Sequence, residues 1–124
     1  MGVIRQFQCP SCKETWEICV GHGMKHGVLG RVMGEFPENT RQKIAEDVQG
    51  GDLPLFHFQY QAVSCGHCRD VVAIPVLRLL DSGRLYVGKC PECGGEAEPA
   101  AEDSPIACPK CGILLDVRDT GHWD

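Results

Sequence analysis

Aromatic side chains are scarce in this chain, with two Trp, two Tyr and four Phe among 124 residues. A chain of that size buries only a modest apolar core. With so few large rings, cross-links or metal ions are expected to supply part of its stability. Apolar runs of the roughly eighteen residues that a spanning helix needs are also missing, so no membrane span is expected. The start Met1-Gly2-Val3-Ile4-Arg5 lacks a basic region followed by an apolar run, and a cytoplasmic location is the expectation. Nor is there a surplus of positive charge, the formal net charge being −5. Residues 1–50 carry six Lys/Arg and six Asp/Glu, residues 51–88 three and three, and residues 89–124 three and eight, so the whole excess lies in the last segment. Such a surface repels phosphate backbones and disfavours non-specific nucleic-acid binding. No Lys-Ser/Thr follows Gly21-His22-Gly23, which leaves a phosphate-binding loop unsupported. No Ser-His-Asp or paired-carboxylate arrangement stands out.

Sulfur is what the chain has in abundance. Eight of its nine cysteines form four Cys-x-x-Cys pairs, Cys9/Cys12, Cys65/Cys68, Cys90/Cys93 and Cys108/Cys111. Secreted disulfide scaffolds scatter cysteines at unequal spacings, whereas a repeated pair points to metal in a reducing compartment. A redox-active pair would open a helix in a βαβ unit; Pro or Gly after the first Cys of every pair fits a tight knuckle better. Zinc takes four tetrahedral ligands, and one knuckle supplies two thiolates, so four pairs make two sites. Two such sites would bring the formal charge to about −9. Glycine after the second Cys suits the turn with positive φ that a knuckle requires; Gly94 and Gly112 fit this, and Lys13 and Arg69 do not.

Between the knuckles the chain reads as short strands and one good helix. Trp16, Ile18 and Val20 alternate with Glu17 and Cys19, and Phe56, Phe58, Tyr60 and Ala62 share one side of a second extended run. Residues 71–74 and 76–80 read as strand on either side of Pro75, which is expected to mark an edge or a bend. Residues 113–117 read as a last strand, and nothing assigns the tail from Thr120. Met24, Val28, Leu29, Val32 and Met33 recur at helical spacing, but Gly21, Gly23, Gly27, Gly30 and Gly34 interrupt them, so a short helix or turns are expected. A better helix starts after Pro37, with Glu38 at its positive end, Ile44, Ala45 and Val48 on one face and Gly50-Gly51 closing it.

Loop length suggests how the half-sites pair. Cys90/Cys93 and Cys108/Cys111 enclose fourteen residues, enough for a hairpin that sets them side by side, which leaves Cys9/Cys12 to join Cys65/Cys68 across fifty-two. The alternative is a cross-brace, Cys9/Cys12 with Cys90/Cys93 and Cys65/Cys68 with Cys108/Cys111.

The stretches "CPSC", "CGHC", "CPECGG" and "CPKCG" resemble the knuckles of the zinc-ribbon superfamily, in which two knuckles on neighbouring hairpins hold one zinc ion. Such ribbons occur in RNA polymerase subunits, transcription factors, ribosomal proteins and rubredoxins. The order of knuckle, glycine-rich insert, helix, second knuckle and C-terminal ribbon is also similar to small uncharacterised bacterial proteins with four such pairs. The fold class expected is therefore a small, zinc-stabilised α+β chain of two zinc-ribbon β-hairpin units with rubredoxin-like knuckles. One unit covers residues 1–88, with a helical, glycine-rich insert at about 21–51, and the other covers residues 89–124. The expected cofactor is Zn2+ at two structural sites, with iron as the competitor, since thiolates bind both. Rubredoxin-like iron sites are closely ringed by aromatic residues, and residues 90–111 contain none.

Cys19, His22 and His26 fall at i, i+3 and i+7, a spacing that on a continuous helix would line up three ligands of an open zinc site. The surrounding glycines and the strand character of Val20 favour the plainer reading, with Cys19 a small core residue and the histidines on a loop. His57 lies on the polar side of its strand, and His67 sits inside a knuckle whose site already has four thiolates. The leading functional expectation is a non-enzymatic adaptor that binds a protein partner through exposed ribbon edges and the loop from Gly21 to Phe36. Two others stand beside it: a nucleic-acid-associated ribbon in a transcription or translation complex, and a metalloenzyme or metal chaperone using Cys19, His22 and His26.

Overall fold

The computed structural model describes residues 2–23, 29–48, 55–80, 82–96 and 105–123. In chain order the elements are β1 (Gly2–Gln8), β2 (Thr15–Val20), α1 (Leu29–Met33), α2 (Glu38–Val48), β3 (Phe56–Cys65), β4 (Asp70–Leu79), β5 (Leu85–Val87) and β6 (Asp116–Trp123). They form two three-stranded antiparallel sheets, ordered β2-β1-β6 and β3-β4-β5, with the two helices between them in sequence. This is a small α+β chain. Its first sheet closes the molecule on itself, because the N-terminal strand lies between its own hairpin partner and the last strand.

The alternation read in residues 15–20 and 56–62 becomes two facing surfaces. Phe7, Ile18 and Val20 from the first sheet pack with Val71 of β4, and half-buried Ala62 and Ala73 pack against that cluster. Further along the same face of the second sheet, Phe58, Leu77 and Leu79 receive Val32 of α1, Phe36 from the link between the helices, and Ile44 of α2. Phe36 meets Phe58 edge-on with ring centroids 6.4 Å apart, as aromatic quadrupoles favour. Met24 and Val28 lie outside the described residues; of the helical spacing read there, Leu29–Met33 forms α1. The opposite face of β3 and β4 buries Val63, Val72, Ile74 and Val76 against Cys65 and Cys90.

Polar ties hold the two sheets together. Gly21 and Tyr60 exchange backbone hydrogen bonds, so the end of β2 continues onto the edge of β3. The Trp16 indole N–H donates to Asp70 Oδ1 at 3.2 Å. Trp123 reaches over Gly2 to donate to the Val20 carbonyl at 2.9 Å, and its ring lies 6.0 Å from that of Tyr60. A Cβ on Gly2 would overlap the Trp123 indole, so this crossing requires glycine.

Two sequence expectations about strands are corrected. The final strand is the polar stretch 116–123 rather than residues 113–117; Ala107 and Leu114 make only an isolated bridge, while the tail pairs with β1. Pro75 marks neither edge nor bend, but is buried within β4, the middle strand of its sheet. Its carbonyl accepts from the Gly88 amide at 2.8 Å, so its missing N–H also points to the β5 side, beyond the last paired residue Val87. The ladder with β3 therefore loses nothing. Gly88 is matched to this position, because a Cβ there would run into the Pro75 ring.

Candidate metal centres

All four Cys-x-x-Cys stretches fold as one kind of turn. The amide four residues after the first cysteine donates to that cysteine's carbonyl in each: Lys13 to Cys9 at 3.0 Å, Arg69 to Cys65 at 3.0 Å, Gly94 to Cys90 at 2.8 Å and Gly112 to Cys108 at 2.9 Å. Those four residues all have positive φ, 66° at Lys13, 57° at Arg69, 70° at Gly94 and 77° at Gly112. Lys13 and Arg69 thus take the conformation that their side chains were expected to resist. A non-glycine residue held there costs on the order of 1–2 kcal/mol, and the knuckle imposes it at both places.

The knuckles assemble in a pairing that neither sequence expectation contained. Cys9, Cys12, Cys108 and Cys111 form one group and Cys65, Cys68, Cys90 and Cys93 the other, the sulfurs of each lying within 4.8 Å of one another. Each group takes one pair from residues 1–88 and one from residues 89–124. The reason is the sheet order. The β1–β2 turn carries the first knuckle, and β6, pairing with β1, brings residues 108–111 to that same end. The β3–β4 turn carries the second knuckle, and β5 runs beside β4 to deliver the third.

Three of the four cross-knuckle sulfur spacings match a tetrahedral ion. Four sulfurs about 2.3 Å from a common centre are separated by roughly 3.8 Å. Across the knuckles the Sγ atoms stand 3.8 Å apart for Cys12 and Cys108, 3.6 Å for Cys65 and Cys93, and 3.7 Å for Cys68 and Cys90. Cys9 and Cys111 are closer, at 3.1 Å. None of the nine cysteines is in a disulfide. In each group the first cysteine of each knuckle is buried, while Cys12, Cys111 and Cys93 are exposed and Cys68 is half-buried.

The backbone prepares some of these thiols to be anions. The amide of Cys12 donates to Cys9 Sγ, and this contact leads in holding the Cys9 thiol down at about 6. The amide of Cys68 does the same for Cys65, also to about 6. Their neighbours move the other way. The shared contact with Cys9 pushes Cys111 up to about 12, and burial, aided by the sulfurs of Cys65 and Cys90, pushes Cys68 up to about 12. Four sulfurs so close cannot all ionise without a cation among them. Around the first group, Lys110 Nζ and Glu14 Oε1 pair at 3.1 Å and bridge its two knuckles. Beside the second, His67 lies over Gly95, where a Cβ would come within 3.2 Å of its ring.

The third cluster suggested by the sequence is not assembled as a helical stripe. Cys19 lies on β2, opposite Ile4, and is exposed. It is therefore not a core residue either, because the strand alternation that buries Ile18 and Val20 turns it outward. His22 is exposed just after the strand, and His26 lies outside the described residues. His57 is exposed on β3, as its place on the polar side implied. Among the described residues no helix is long and apolar enough to cross a membrane. Comparison with known proteins returns no matching family model, no matching curated protein and no matching solved structure.

Proposed function

We propose that this chain is a non-enzymatic adaptor held in shape by two structural zinc ions, one in each cysteine group, and that it acts by presenting its surface to a protein partner. The observation that carries the metal reading is the convergence of four like knuckles into two sets of four cysteines whose sulfurs lie within 4.8 Å of one another, three of the four cross-knuckle spacings being 3.6–3.8 Å. Each set joins two tight turns, the arrangement found in zinc ribbons. Zinc is preferred to iron at the second group because Cys65, Cys68 and Cys90 sit among Val63, Val72, Ile74, Val76 and Val87 with no aromatic side chain in that cluster; Cys9 and Cys108 of the first group pack with Phe7 and Trp16, so there the metal analysis below decides. Cys9 and Cys12, or Cys65 and Cys68, would each hold an ion together with the knuckle opposite. The ion would neutralise thiolates that otherwise repel one another, and would do no chemistry on a substrate.

The adaptor reading draws on the surface beside the first group. Leu114 is 59% exposed and Val117 51% exposed, next to exposed Ile113 and along the outer edge of the first sheet. The acidic last segment suits a basic partner face. Native mass spectrometry and metal analysis test the first half: two zinc ions per chain in a colourless protein are expected, and one ion or a red protein overturns it. For the second half, a partner captured from the source cell by the zinc-loaded protein is expected to be lost with Leu114→Asp/Val117→Asp. Capture unchanged by that variant overturns the proposed surface.

A further inference from the structure

Resting on that reading, we propose that the two sites differ in redox behaviour. The site of Cys9, Cys12, Cys108 and Cys111 is a peroxide-responsive one, closing a Cys9–Cys111 disulfide and giving up its zinc ion, while the site of Cys65, Cys68, Cys90 and Cys93 keeps its own.

Two observations separate them. In the first group Cys12 and Cys111 are exposed, one from each knuckle, whereas in the second Cys93 is exposed and Cys68 half-buried. Oxidant access follows exposure. Cys9 and Cys111 Sγ are 3.1 Å apart, nearer than the 3.6–3.8 Å of the other cross-knuckle pairs, so little movement separates them from a bond of about 2.05 Å.

The chemistry balances as follows. The exposed Cys111 thiolate attacks one oxygen of hydrogen peroxide, breaking the O–O bond and becoming a sulfenic acid as hydroxide leaves and is protonated to water. Cys9 Sγ, the neighbouring thiolate, then attacks the Cys111 sulfur; the S–S bond forms, and the second hydroxide leaves as water. Two thiolates lose two electrons, and one peroxide plus two protons yields two waters. Cys12 and Cys108 alone offer too few ligands to retain an ion. The new bond would tie the first knuckle to the last, 102 positions apart, so the two ends stay joined after the metal leaves.

The test uses the full zinc-loaded chain, with two bound ions first established by native mass spectrometry. Titration with hydrogen peroxide is followed by zinc release to a chromogenic chelator, and non-reducing proteolysis maps the disulfide. Loss of one ion of the two is expected, with a linked peptide joining Cys9 and Cys111 and with Cys65, Cys68, Cys90 and Cys93 still alkylatable after the remaining ion is removed. Release of both ions together, earlier release from the second site, or a Cys9–Cys12 bond overturns the proposal while leaving zinc binding intact. A chain that takes up no zinc overturns both.

Discussion

The two cysteine groups share knuckle geometry but differ in reach. In the second, the facing cysteines are 22 and 28 positions apart, and the strands between them form one meander of β3, β4 and β5. In the first, the facing cysteines are 96 and 102 positions apart, and the group exists only when β6 has returned to β1. Closing the longer loop costs more chain entropy, though only slowly with length. One group therefore completes a local unit, and the other fastens the ends of the chain over it.

Cysteine replacement should break that comparison most severely. Cys90→Ser removes a buried ligand from the sheet that carries the helices, and is expected to abolish cooperative unfolding throughout. Cys108→Ser should instead lose one zinc ion and the hydrogen-exchange protection of β1, β2 and β6 while β3 and β4 stay protected. Equal loss in both variants would show that the groups are not hierarchical.

Acid is expected to act next most strongly. With metal removed, Cys9 and Cys65 ionise at about 6 rather than at their ordinary 9.0. Their contribution to folding is thus complete above about pH 9, shrinks as pH falls and is gone below about 6. Cys68 and Cys111 hold their protons to about 12, so theirs is complete below about 9 and lost as pH rises toward 12. A metal ion entering either group must displace those protons, so loading near neutral pH should release protons to the buffer, and affinity should fall steadily toward pH 5. Competition with a chromogenic chelator across that range measures it.

Packing gives a smaller effect. Leu77 is fully buried among Phe58, Val32 and Ile44, and Leu77→Ala should cost about 2–5 kcal/mol in denaturant unfolding with both zinc ions retained. Smallest of all, Lys13→Gly and Arg69→Gly relieve the positive φ at one knuckle of each group. Each should raise stability by up to about 1 kcal/mol, partly offset by the freedom glycine adds to the unfolded chain.

Much of this was legible in the residues. The four pairs announced themselves by spacing, Trp16-Ile18-Val20 and Phe56-Phe58-Tyr60 by period, and α2 by Pro37, Glu38 and Ile44. How the pairs combine was not, because enclosed loop length favours neighbours, while the partner of each knuckle is set by which strands lie side by side. The decisive strand, residues 116–123, is too polar to read as one; an edge position and side-chain ties such as Arg5 to Asp119 at 2.8 Å let it form. Pro75 misled for a related reason, since the harm done by a missing N–H depends on the side to which it points.

Both tryptophans belong to the strands of the first sheet, whereas both tyrosines lie in the second. Indole emission from this protein consequently watches the fastening of the ends and its seam with the meander, where Trp16 meets Asp70 and Trp123 meets Tyr60. Tyr60, its ring 6.0 Å from Trp123, can pass excitation across the join, so the tyrosine-excited signal is a built-in gauge of whether the two sheets are still in register with each other.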